Sequence, residues 1–140
     1  MTDCVKFHFD IDGDNFTSAG EASVKIKKLL REMGFKPDTI RRVSVAMYEG
    51  EINMVIHAGG GTADVYVDEE KVTIVLEDKG PGIENIELAM KDGYSTAPDN
   101  IRSLGFGAGM GLPNMKRYSD SLTLQSELGK GTKVTMIVNI

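Results

Sequence analysis

The sequence predicts an α+β fold: a two-layer α/β sandwich in which a mixed, mostly antiparallel sheet is covered by helices on one face. Three observations carry this. Apolar residues alternate with period two near the N-terminus, as in a half-buried strand. Later strands come in pairs joined by turns short enough for hairpins. Helical patterns are grouped rather than alternating one for one with strands, which argues against a doubly wound parallel sheet.

Val5, Phe7, Phe9 and Ile11 share one side of a first strand over Cys4 to Ile11, with Lys6, His8 and Asp10 on the other, solvent-facing side. Ser18 or Gly20 opens a helix whose apolar stripe is Ala22, Ile26, Leu29, Leu30 and Met33 and which closes at Gly34. Pro37 starts a second helix that runs to about Ala58, where Gly59 to Gly61 stop it. Strands over about Thr62 to Asp68 and Lys71 to Glu77 form a hairpin joined by a short acidic turn. A short helix over Ile83 to Lys91 and a loop over Asp92 to Phe106 follow. Met110 to Tyr118 is helical, with Pro113 tolerated in its first turn. Strands over Ser121 to Glu127 and Thr132 to Ile140 flank a Gly-Lys-Gly turn. The methionines Met47, Met54, Met90 and Met115 fall where helices pack and read as core filling.

The chain has 140 residues, suited to one domain spanning 1–140. A net charge of −5 without a basic run argues against nucleic acid. No stretch approaches the ~18 apolar residues of a membrane span. The single Cys4 allows no internal disulfide, so a cytoplasmic location is expected. Glycine is in excess, with 16 residues, most of them after His57, and that excess needs a local cause.

Three features can carry chemistry. Glu49, Asn53 and His57 recur at i, i+4 and i+8 on the second helix and so share one stripe. They form either a solvated face, into which Glu51 also fits, or the floor of a polar cavity. In the latter a carboxylate accepts a proton and an amide oxygen offers a hard ligand for Mg²⁺. Asp78-Lys79-Gly80-Pro81-Gly82 ends an apolar strand, either as an ordinary turn or as a site where an exocyclic amine meets Asp78 and the two glycines admit a ligand to the backbone. Gly105-Phe106-Gly107-Ala108-Gly109-Met110-Gly111-Leu112 runs into a helix and can offer backbone N–H groups to an anion. Its spacing fits neither the dinucleotide-binding fingerprint nor the phosphate-binding loop of P-loop proteins. Asp10, Asp12, Asp14 and Glu21 match calcium-loop positions, but Asn15 replaces the needed glycine and the preceding segment is a strand.

Taken in order, Glu49 and Asn53 on a helix, Asp78-x-Gly80-x-Gly82 after a strand, the glycine-rich lid ending Gly109-Met110-Gly111-Leu112, and Thr132 after Gly131 resemble the nucleotide-binding boxes of the GHKL (Bergerat-fold) ATPases. The resemblance covers essentially the whole chain. Its size, with the run Asp92-Gly93-Tyr94-Ser95-Thr96, resembles the small anti-sigma factor serine/threonine kinases of partner-switching systems, particularly the switch kinases. The resemblance implies ATP and Mg²⁺ as cofactors, with Asn53 the metal ligand and Glu49 the general base. It further implies that Asp78 reads the adenine amino group with Thr132 beside it, that Gly80 and Gly82 admit the nucleotide, and that Gly107, Gly109 and Gly111 face its phosphates. Arg102 is a candidate phosphate cation, whereas His57 is assigned a structural role; Gly50 and the Gly59 to Gly61 run are left without one. The implied partners are a STAS-type anti-sigma antagonist, a sigma factor, or both, with a homodimer as a frequent state. The implied function is phosphorylation of the antagonist. The alternative is a non-catalytic, nucleotide-gated binding module; a bare ATPase is disfavoured because no second module is present for hydrolysis to drive.

Overall fold

The computed structural model describes residues 4–13, 20–80 and 111–140. Five strands, β1 (Val5–Asp12), β2 (Gly60–Val67), β3 (Lys71–Glu77), β4 (Ser121–Glu127) and β5 (Gly131–Asn139), form one sheet in the order β1-β2-β3-β5-β4. Among the described residues three helices pack with it: α1 (Glu21–Glu32), α2 (Pro37–Ala58) and α3 (Gly111–Tyr118). All four strand pairings among the described residues are antiparallel. The expected sandwich is therefore present, with the antiparallel pairing that dominates it seen throughout the described residues.

Pairing register explains the layers. Val65 lies opposite Phe7 and Ile74, and Ile74 opposite Met136, so one face of the sheet presents a continuous apolar surface to the helices. Val65, Ile74 and Met136 are fully buried there, against Ile26, Leu30, Val43 and Met47 from α1 and α2. Met54 and Met115 complete that core, while Met90 lies outside the described residues. The opposite face mixes His8, Asp64, Thr73 and Thr135 with Tyr66, Val75 and Ile137, so it is partly polar where the core face is apolar.

Local chemistry sets the ends of the elements. Pro37 takes the first position of α2, where its missing N–H removes no helical bond. Gly59 closes the helix in the left-handed region, φ 72°. The β2–β3 turn is held by Asp68, whose Oδ1 accepts from the Glu70 and Lys71 N–H groups at 2.8 and 2.9 Å. Those two bonds lower its pKa. One boundary shifts and one expectation fails. β2 starts at Gly60 rather than Thr62, because Gly60 and Gly61 pair with Asp12 and Ile11 of β1. Met33, assigned to the apolar stripe of α1, caps that helix and is 44% exposed, because the chain turns away at Gly34.

Candidate functional site

α2 supplies the floor of the candidate site, and two anchor points fix how it lies on the sheet. A Cβ at Gly50 would collide with the Leu76 side chain and come within 3.1 Å of Met115 Sδ. A Cβ at Gly80 would come within 2.6 Å of the Ala58 Cβ. α2 thus runs along β3 in the same direction, with Gly50 over Leu76 and Ala58 over Gly80, and Asn53 between the two anchors. Gly50 costs about 1 kcal/mol of helix propensity relative to alanine. In exchange, the helix comes close to β3 and α3. That is the role composition left open for Gly50.

Glu49 is half-buried, and its Oε1 accepts from Asn114 Nδ2 on α3 at 3.3 Å. Loss of water pushes the Glu49 carboxyl pKa above its ordinary value, and the Asn114 bond opposes part of that rise. Asn53 is also half-buried, with no hydrogen-bond partner among the described residues. An amide oxygen without a partner among the described residues, one helical turn from a desolvated carboxylate, fits a hard divalent cation better than it fits a packed core.

Asp78 sits where β3 ends. Its Oδ1 accepts from Gly80 N–H at 3.0 Å and Thr132 N–H at 3.1 Å, while its own N–H donates to the Thr132 carbonyl at 3.0 Å. Among the described residues Oδ2 has no partner, so one carboxylate oxygen holds the loop and the other is available to a donor such as an exocyclic amine. The structure brings Asp78, Gly80 and Thr132 together, and the Thr132 hydroxyl lies 3.0 Å from Ser126 Oγ. Two further glycines shape this end of β3. A Cβ at Gly61 would collide with the Glu77 carbonyl, and one at Gly131, φ 125°, with the Asp78 carbonyl. Gly61 and Gly131 therefore let β2 and β5 close on the Asp78 peptide. Gly59, as the helix cap, and Gly60, against the Ile11 carbonyl, complete the account of the glycine run.

Gly111 is the first residue of α3. Gly82, Gly107, Gly109 and Arg102 lie outside the described residues, as does the side chain of His57.

One assignment is overturned. Glu51, placed on a solvated face, is 2% exposed and caps α1 from the neighbouring helix. Its Oε2 accepts from the N–H groups of Gly20 and Ala22 at 2.8 and 3.2 Å, and its Oε1 from Ser23 N–H at 3.1 Å. α1 has no side-chain cap of its own at Gly20, so its orphan N–H groups and positive end draw the carboxylate in. A signal was present. Glu51 lies four residues from both Met47 and Val55, on the buried stripe, whereas Glu49 shares its stripe with Asn53.

A family model for the histidine kinase-like ATPase domain matches residues 15–138. The chain is 36% identical over 121 residues to an anti-sigma F factor of Clostridium beijerinckii, covering 82% of this chain and 81% of the relative. It is 34% identical over 115 residues to the serine/threonine-protein kinase RsbT of Bacillus subtilis, covering 79% and 80%. Among solved structures, the RsbU and RsbW domains of a Mycobacterium tuberculosis protein superpose with a TM-score of 0.66 at 15% identity, over 96% of this chain and 32% of that one. The mycobacterial sensor histidine kinase MprB superposes with a TM-score of 0.55 at 17% identity, over 96% and 97%. These two share the fold. With an antiparallel sheet whose β3 leads into Asp78, a long helix bearing Glu49 and Asn53, and this agreement over most of its length, the chain belongs to the histidine kinase-like (GHKL) ATPases, in the anti-sigma factor and RsbT-like kinase family.

Proposed function

We propose that this chain is a serine/threonine kinase of a partner-switching system, transferring the γ-phosphoryl group of ATP to a hydroxyl of a STAS-type antagonist. The observation that carries the reading is the half-buried Glu49, its basicity raised by desolvation, one turn from the Asn53 amide, which has no hydrogen-bond partner among the described residues. In this reading Asp78 Oδ2 would accept from the adenine amino group, Oδ1 stays on the Thr132 and Gly80 N–H groups, and Asn53 would hold Mg²⁺ through its amide oxygen. Bound Mg²⁺ would neutralise phosphate charge and orient the phosphates. Glu49 takes the proton of the attacking serine or threonine hydroxyl at a carboxylate oxygen. Phosphoryl transfer asks for positioning and charge neutralisation above all, which a metal ligand, a base and a nucleotide anchor supply.

The test is transfer of labelled phosphate from ATP to a purified STAS-domain antagonist from the same organism. Glu49→Gln should lower the transfer rate by about 100-fold or more while calorimetry still shows ATP binding. For the wild type, the rate should fall as pH drops through a carboxyl pKa above the ordinary glutamate value, because protonated Glu49 cannot accept. A Glu49→Gln variant that transfers at the wild-type rate refutes the base assignment. A wild type that binds ATP and captures the antagonist without labelling it favours the nucleotide-gated binding module.

A further inference from the structure

We propose that Asn114 is a positioning residue for Glu49, holding the carboxylate of the proposed base in one orientation from the neighbouring helix. This rests on the kinase reading above. The Asn114 amide is itself oriented: Arg117 Nη1, one turn along α3, donates to Asn114 Oδ1 at 3.0 Å. With its oxygen committed to a guanidinium, the amide turns its NH₂ toward Glu49 Oε1, 3.3 Å away. That distance is at the long end for such a bond, and contacts of a base commonly tighten only when substrate binds.

Packing fixes the helices that carry the two groups. Met115, next to Asn114, is 1% exposed and seated against Gly50, next to Glu49. The bare Cα of Gly50 lets α3 approach, and the buried Met115 sets its rotation, so the adjacent positions face each other across the helix pair. A carboxylate on a flexible two-carbon stem then loses rotamer freedom before the substrate arrives, which is where positioning yields rate. The Arg117 charge polarises the amide and strengthens its hold on the ionised Glu49.

The experiment measures steady-state phosphoryl transfer from ATP to the antagonist that the wild-type chain labels, in the wild type, Asn114→Ala and the isosteric Asn114→Asp, with thermal melts to show that each is folded. Asn114→Ala should lower kcat by about 10-fold with the KM for ATP within twofold. Asn114→Asp, which puts an acceptor where a donor stood, should be slower still. In a Glu49→Gln background, Asn114→Ala should have no further effect. An Asn114→Ala kcat within twofold of wild type, a change confined to KM, or restoration by the isosteric Asp overturns the inference while the kinase reading stands. A wild type that labels no antagonist overturns the kinase reading and, with it, the base that Asn114 would hold.

Discussion

Replacing Glu51 by glutamine should destabilise the protein by about 3–4 kcal/mol, although the two side chains have the same shape. The wild-type carboxylate spreads three N–H groups over two acceptor oxygens, Gly20 and Ala22 on Oε2 and Ser23 on Oε1, in a site 2% exposed. Glutamine has one carbonyl oxygen. Placed on the Gly20 and Ala22 pair, it turns its NH₂ toward the Ser23 N–H, donor against donor. Losing one charge-assisted bond costs about 1.5–3 kcal/mol. Weakening the other two to neutral bonds and removing the negative charge from the α1 N-terminus add roughly 2–3 kcal/mol. Relief of the carboxylate's own desolvation offsets part of this, leaving about 3–4 kcal/mol. At about 3 °C per kcal/mol for a chain of this size, Tm falls by about 10 °C. Thermal unfolding followed by circular dichroism measures the shift, and amide hydrogen exchange at Gly20, Ala22 and Ser23 should accelerate beyond the global change. A Tm drop of less than about 3 °C, or unchanged protection of those three amides, would refute the capping argument.

Two further outcomes are expected. Gly34 and Gly131 both have positive φ, 84° and 125°, but a Cβ at Gly34 meets nothing whereas one at Gly131 meets the Asp78 backbone. Gly34→Ala should therefore cost only the conformational penalty, about 1–2 kcal/mol, and leave ATP binding unchanged. Gly131→Ala should cost about 3 kcal/mol and weaken ATP binding by moving Asp78; denaturant melts and calorimetry on both variants check this, and equal effects would show that crowding at Asp78 is irrelevant. On the exposed face of the sheet, His8 lies between the carboxylates of Asp64 and Asp10, bonds that raise its pKa above the ordinary 6.5. Its stabilising contribution is present in full below about pH 6.5 and is lost as pH rises through the raised folded value. The stability difference between wild type and His8→Ala should accordingly shrink between pH 6 and pH 9 in urea melts, and a difference that grows with pH would contradict the assignment.

Much of the candidate site was legible because its logic is local. Helical spacing alone places Glu49 and Asn53 on one stripe, and an apolar run ending in Asp78 places that carboxylate at the mouth of a strand. The pairing of Asp78 with Thr132, 54 residues away, was legible only through the resemblance, since no spacing rule links a strand end to another strand's first turn. Glu51 was misplaced because its partners are main-chain N–H groups 28 to 31 residues distant, and such groups carry no side-chain signature. Asn114, 65 residues from Glu49, stood on a helix with no visible reason to face it.

By itself the sequence determined the strand and helix periods, the hairpins, and the helix ends at Pro37 and Gly59, because each depends on residues within a turn or a hairpin of one another. Only the tertiary structure decided the strand order β1-β2-β3-β5-β4, the burial of Glu51 beneath α1, and which glycines are bare because another backbone passes. Gly50, Gly61, Gly80 and Gly131 look alike as letters. What separates them is the neighbour that their missing Cβ makes room for, and that neighbour is set by chain packing across long sequence separations.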